Sequence, residues 1–315
     1  MARCCRLLLL TAFCSVVVLG SALADQQKQK TFATPEEAVK TLVDTLKQDD
    51  TTALEAIFGP GSEALVFSGD PVADKEGREK FIALYEKKNR VEPAAEPDKA
   101  VLVLGEEDWP FPIPLVKTGE AWFFDAAQGM DELLARRIGR NELDVIQVCL
   151  AYVDAQREYA LEDRDGDGIL AHAGKFASET GKKDGLYWET KEGETPSPMG
   201  SLVAAAQAKG YNKSDKDART PYHGYYYRIL EAQGPDAPGG AYDYMVKGAL
   251  AGGFALVAYP AQYGNSGVMT FIVNHDGVVY QKDLGKGTEK TALKMKLFDP
   301  DSTWKKAVEG APEGK

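Results

Sequence analysis

The run NELDVIQVCLAYVDAQREYALED, residues 141–163, constrains this chain more than any other stretch. Leu143, Ile146, Cys149, Leu150 and Val153 recur at helical spacing, which predicts a helix with one buried stripe and Asn141 as its N-cap. A helix with one apolar face must lie on something, and the chain downstream supplies it. From residue 225 the sequence reads YYYRIL, then FALVAYPAQY, VMTFIVN and VVYQKDL, all short β-patterned runs. His275-Asp276-Gly277 makes a tight, solvent-facing connection between the last two. Helix followed by hairpin-linked strands predicts an α+β fold, a long helix packed on a small antiparallel sheet.

The first half has its own signals. TPEEAVKTLVDTLKQ carries Thr34 as N-cap, Pro35 in the first turn and Glu37 three residues after the cap. TALEAIF and a stretch from about Lys75 to Lys88, with Phe81, Leu84 and Tyr85 on one face, read as further helices. AVLVL (100–104) reads as a strand. WPFPIP places proline at 110, 112 and 114, which cannot all donate to a central ladder, so it reads as an edge or a polyproline-like rod. LVKTGEAWFF then reads as a hairpin turning at Thr118-Gly119. A short helix is expected near Ser201–Lys209, ended by Gly210, and residues 232–253 read as a glycine-rich loop or flap.

The N-terminus has a different character. Arg3 and Arg6 precede an apolar run from Leu7 to Leu19, and Ala22-Leu23-Ala24 offers the small residues of a cleavage site. Residues 1–24 are therefore expected to be a signal peptide cut after Ala24, leaving no transmembrane segment and a periplasmic or secreted protein. Those residues hold two arginines and no acid, so the mature chain carries 35 basic against 48 acidic side chains, a formal charge of −13. That balance argues against nucleic-acid partners, which require a basic footprint. Three of the four cysteines leave with the signal, and Cys149 remains alone, as a core residue without a disulfide partner.

Chemistry-bearing motifs are sparse. EDRDGDG places Asp163, Asp165 and Asp167 on alternate positions with Gly168 next, the first half of an EF-type calcium loop. Ala171 and Gly174 stand where later ligands belong, so calcium there needs oxygens from elsewhere, with Glu179 and Asp184 as candidates; the alternative is a solvated acidic turn. The three histidines, His172, His223 and His275, lack compact zinc spacing, and no GxSxG is present. Aromatic residues are plentiful. Trp188, Tyr222, His223, Tyr225 and Tyr227 are the candidates for lining a ligand groove that binds a glycan, a peptide or an envelope protein.

Two long runs carry a family resemblance: LGEEDWPFPIPLVKTGEAWFFDAAQGMDELLARRIGRNEL, and QREYALEDRDGDGILAHAGKFASETGKKDGLYWETKEGETPSPMGSLVAAA. They resemble the bacterial family DUF2950 over about residues 30–310. The resemblance implies an exported bacterial protein of unassigned biochemical function. Helices followed by a strand pair with a buried Trp give residues 25–130 a weaker likeness to NTF2-like cones. Residues 131–315 look like the globular heads of type IV pilins and pseudopilins, without their processing site. The expected role is a non-catalytic envelope binding or assembly protein; the alternative is an envelope hydrolase of glycan or peptide using a carboxylate pair.

Overall fold

A computed structural model describes residues 29–164, 166, 168–211 and 220–307. The first helix, α1 (Pro35–Gln48), opens as its sequence predicts. Thr34 Oγ1 accepts from the Glu37 N–H at 3.1 Å, and the Glu37 carboxylate reaches back to accept from Ala33 N at 3.0 Å. Helices α2 (Thr51–Phe58), the single-turn α3 (Glu63–Val66) and α4 (Pro71–Lys87) follow. Asp50 and Asp70 cap α2 and α4 by accepting from Ala53 N and Ala73 N.

Five antiparallel strands complete this half: β1 (Asn89–Pro93), β2 (Lys99–Leu104), β3 (Trp109–Pro110), β4 (Leu115–Thr118) and β5 (Ala121–Phe124). The order is β1-β2-β4-β5, with β3 also on β2; the prolines hold β3 to two residues. Phe32 exchanges two 2.8 Å backbone bonds with Trp122, which closes the outer side of β5. Helices and sheet enclose a core that includes Leu42, Leu54, Ile57, Leu104, Ile113 and Phe124.

Helix α5 (Ala126–Tyr159) departs from the sequence reading. It is one helix of 34 residues, about 51 Å long at ~1.5 Å per residue. Its N-cap is Asp125, accepting from Gln128 N, whereas Asn141 lies mid-helix and its side chain donates to Ser266 O at 2.9 Å. The helix also runs unbroken across position 130. Gly129 explains the weak pattern of its first turns: a Cβ there would lie 2.5 Å from Pro112 O, so the crossing backbone admits no side chain. The C-terminal half buries Val145, Ile146, Cys149, Tyr152 and Val153, while Leu143 is 67% exposed and leaves the expected stripe.

After α5, helix α6 (Gly200–Ala208) ends before Gly210 (φ 101°), and strands β6 (Tyr225–Leu230), β7 (Ala232–Gln233), β8 (Tyr242–Asp243), β9 (Ala255–Pro260), β10 (Met269–Asn274) and β11 (Tyr280–Asp283) follow. Helix α7 (Thr288–Lys294), β12 (Leu297–Phe298) and β13 (Lys305–Lys306) close the described chain. An antiparallel sheet, β13-β11-β10-β9-β6, carries α5 over its centre, with Phe254, Leu256, Phe271 and Val273 beneath the helix. The chain is an α+β protein.

The glycine-rich segment 232–253 is not a flap. Its strands β7 and β8 join β12 in a three-stranded sheet, and Tyr244 is fully buried with its hydroxyl donating to Gln233 Oε1 at 2.8 Å. Tyr244 packs with Leu250, Val257, Ile272 and Phe298 in a third core on the other side of the main sheet. His275 is likewise drawn inward from the expected solvent-facing turn. Its ring packs against Tyr244 and Phe254, and its Nε2 lies 3.2 Å from the Tyr242 hydroxyl.

Candidate functional site

The run TPYHGYYY folds into a two-residue hairpin turn. Tyr222 and Tyr225 exchange backbone bonds of 2.9 and 3.2 Å, and the two residues between them, His223 (φ 53°) and Gly224 (φ 72°), are both left-handed. Positive φ at both central positions is the type I′ signature, whose twist suits a hairpin. Gly224 is required twice, since a Cβ would also meet Asn141 Nδ2 at 2.7 Å and Ser266 Cβ at 2.9 Å. His223 bears the backbone strain that a non-glycine residue incurs there.

Two aspartates from distant elements hold this turn. Asp70, fully buried at the start of α4, accepts from Gly224 N at 2.9 Å and from the Tyr211 hydroxyl at 2.8 Å through Oδ2, and from Ala73 N through Oδ1. Three donors and the positive end of α4 stabilise a carboxylate that water cannot reach. Asp144, on the exposed face of α5, lies 2.9 Å from His223 Nδ1 through Oδ2. Burial pushes the His223 imidazole down from its ordinary range and Asp144 opposes that.

The rings form a corner. Tyr222 meets His223 at 4.2 Å between centroids and 68° between planes, and meets Tyr211 at 5.0 Å and 79°. Burial raises the Tyr211 and Tyr222 phenols, with Asp70 adding to Tyr211 and Asp144 to Tyr222, so both are neutral hydroxyls at neutral pH. Glu76 on α4 stands near, 3.8 Å from the Lys209 ammonium that follows α6.

The chain carrying this corner matches the family model described as "Protein of unknown function (DUF2950)" over residues 29–307. It belongs to the DUF2950 family. No curated protein and no solved structure matches this DUF2950 chain, so the likenesses to NTF2-like cones and pilin heads gain no support. Among its described residues no helix is long and apolar enough to cross a membrane.

The DUF2950 fold separates the five aromatic candidates. Tyr222 and His223 are partly exposed and adjoin, whereas Tyr225 is wholly buried, its hydroxyl donating to Met269 O at 3.0 Å beside Glu142. Tyr227 packs on the core under α5 and donates to Tyr222 O at 3.1 Å, propping the turn from behind. Trp188 also lies in that core, with the Arg164 guanidinium 5.6 Å and the Lys183 ammonium 5.4 Å from its ring centroid. Sequence reasoning missed Asp70, Glu76, Asp144 and Tyr211. The His-Gly pair at 223–224 was the one available signal, since a two-residue turn between tyrosine-rich flanks marks a hairpin.

Of the aspartate loop, Asp165 and Asp167 lie outside the described residues. Asp163 accepts from Gly166 N at 2.8 Å through Oδ1 and from Gly168 N at 2.9 Å through Oδ2, closing the loop on itself. Arg164 folds back to donate to Tyr159 O and Glu158 O at the end of α5. The two residues expected to complete a calcium site are engaged elsewhere. Lys175 Nζ lies 2.7 Å from both Glu179 and Asp184, and Lys182 also pairs with Glu179.

Two groups among the described residues bear on nucleophilic and carboxylate chemistry, Cys149 and Asp74. The Cys149 thiol is fully buried and pushed up to about 12 by that burial, far from the thiolate a nucleophile needs. Asp74 is a carboxyl that burial raises, as a glycosidase acid requires, but both its oxygens face the Ser68 N–H, at 3.2 and 3.0 Å.

Proposed function

We propose that this protein is an exported, non-catalytic binding protein of the bacterial cell envelope, and that it holds its ligand at the Tyr211–Tyr222–His223 corner. The observation that carries the reading is the strained His223 at the tip of its turn. A non-glycine residue at φ 53° is held there by Asp144, with its ring against Tyr222. Strain of this kind persists where surrounding contacts over-determine it, and it concentrates at ligand clamps. Tyr222 and His223 are partly exposed, and the neighbouring Asp144 and Glu76 side chains are 41% and 55% exposed. Export rests on the Arg-flanked apolar run and the Ala22-Leu23-Ala24 site at the N-terminus.

Glycan and peptide arrays, together with pull-down from envelope extracts, test this reading with wild type and Tyr222→Ala side by side. Wild type is expected to retain a ligand that the variant loses. Reproducible silence of wild type in every format, or equal retention by the variant, overturns it. Calcium enters as a structural ion at the aspartate loop, supported by the alternating Asp163, Asp165 and Asp167. Calcium is expected to raise the melting temperature of wild type and not of Asp165→Ala.

A further inference from the structure

Three rings meeting at steep angles, rimmed by acids, have a chemical preference. The face of each ring is the negative pole of its quadrupole, so a corner built from several faces attracts a cation and gains most when that cation is weakly hydrated. Tyr211 and Tyr222 stand at 79° and Tyr222 and His223 at 68°, so the walls turn about Tyr222 rather than stacking flat. Asp144 and Glu76 border these rings, and Asp70 lies beneath them with all its bonds to neutral donors. Among the described residues, the Lys209 ammonium lies 3.8 Å from Glu76, and Asp144 pairs with the His223 ring. Burial favours neutral His223, which then adds a π face instead of a rival positive charge. An anionic ligand would meet the exposed Asp144 and Glu76 carboxylates here.

We propose that this corner is a cation-π site for an alkylammonium group, which lies against the Tyr222, Tyr211 and His223 rings with Asp144 and Glu76 as its counter-charges. The proposal rests on the reading of the corner as the ligand site and adds the chemical class of what enters it.

The probes are choline and 3,3-dimethylbutan-1-ol, a neutral molecule of the same shape, titrated into the full mature chain by calorimetry and by NMR of the His223 ring. Choline is expected to bind about tenfold or more tightly than the alcohol. Tyr222→Ala is expected to weaken choline about tenfold and Asp144→Asn a few-fold, roughly in line with loss of a ring face and of a counter-charge. Tyr222→Phe keeps the ring and guards against a fold defect in the alanine variant; it should bind choline within about twofold of wild type. Equal binding of the two probes, no binding of choline, or loss of choline binding in Tyr222→Phe alone overturns the cationic assignment. If Tyr222→Ala still abolishes retention of an array ligand in those cases, the site stands and only its charge preference falls. If Tyr222→Ala leaves both choline and array ligands bound, both readings fall.

Discussion

His223 Nδ1 and Asp144 Oδ2 are 2.9 Å apart, joining the tip of a strained turn to the exposed face of a helix 79 positions earlier in the chain. The contact has a measurable signature. Asp144 raises the affinity of His223 for a proton against the larger effect of burial. Asp144→Asn removes the charge and keeps the size, so the His223 ring is expected to titrate at lower pH in the variant. NMR of the imidazole protons measures this, and an unmoved or raised midpoint would contradict the pairing.

Asp70 should be the more costly residue to lose. Asp70→Ala strands the Tyr211 hydroxyl and the Gly224 N–H in a dry site and uncaps α4. Unsatisfied buried donors cost about 1–3 kcal/mol each and a lost cap about 1 kcal/mol, so a destabilisation of roughly 3–7 kcal/mol is expected. Urea denaturation checks it. Tyr211→Phe removes one of the three bonds and should cost about 1–2 kcal/mol.

His172 supplies a pH dependence with a definite sign. Burial holds its imidazole below 6.5, the nearby His275 adding to this and the bond to Leu250 O opposing it. The unfolded chain therefore binds the proton more readily, and His172 contributes stability present above pH 6.5 that is lost as pH falls through its folded value. Stability measured between about pH 7.5 and 5 should decline less in His172→Gln than in wild type. Parallel curves would remove His172 as a cause.

Cys149 is expected to be silent in the folded state. With its thiol pushed to about 12 and no exposed surface, it should resist iodoacetamide at pH 8 and react fully only after denaturation. Labelling of the native protein at the rate of a free thiol would show that the helix–sheet interface opens.

Local chemistry was readable where the residues that decide an element are neighbours. Thr34, Pro35 and Glu37 specify the start of α1 by themselves, and the prolines at 110, 112 and 114 confine β3 without help from elsewhere. The long helix was half legible. Its later turns carry a regular apolar pattern, but its first turns include Gly129, Arg136, Arg137 and Gly139, which interrupt any apolar stripe. Their reasons lie across the molecule: Gly129 is set by Pro112 on the sheet side, and Arg137 donates to Ala64 O and Leu65 O of α3. Residues 232–253 looked open because glycine dominates them, while Tyr244 is buried by partners at 233, 257 and 298. The candidate site was legible only at Tyr222 and His223. Asp70 reaches Gly224 over 154 positions and Asp144 reaches His223 over 79, and no periodicity encodes a contact of that range.

Helix α5 has an implication for inheritance. One end of it lies against Pro112 and the other over the β9–β10 ladder, so each half of the chain owns part of the same rod. A recombination event that parted the gene within α5 would leave each descendant a shortened helix, its first turns resting on Pro112 and α3 and its later turns on the β9–β10 side of the large sheet. The rod is thus a shared covalent span, and a cut within it would shorten the support of both halves at once.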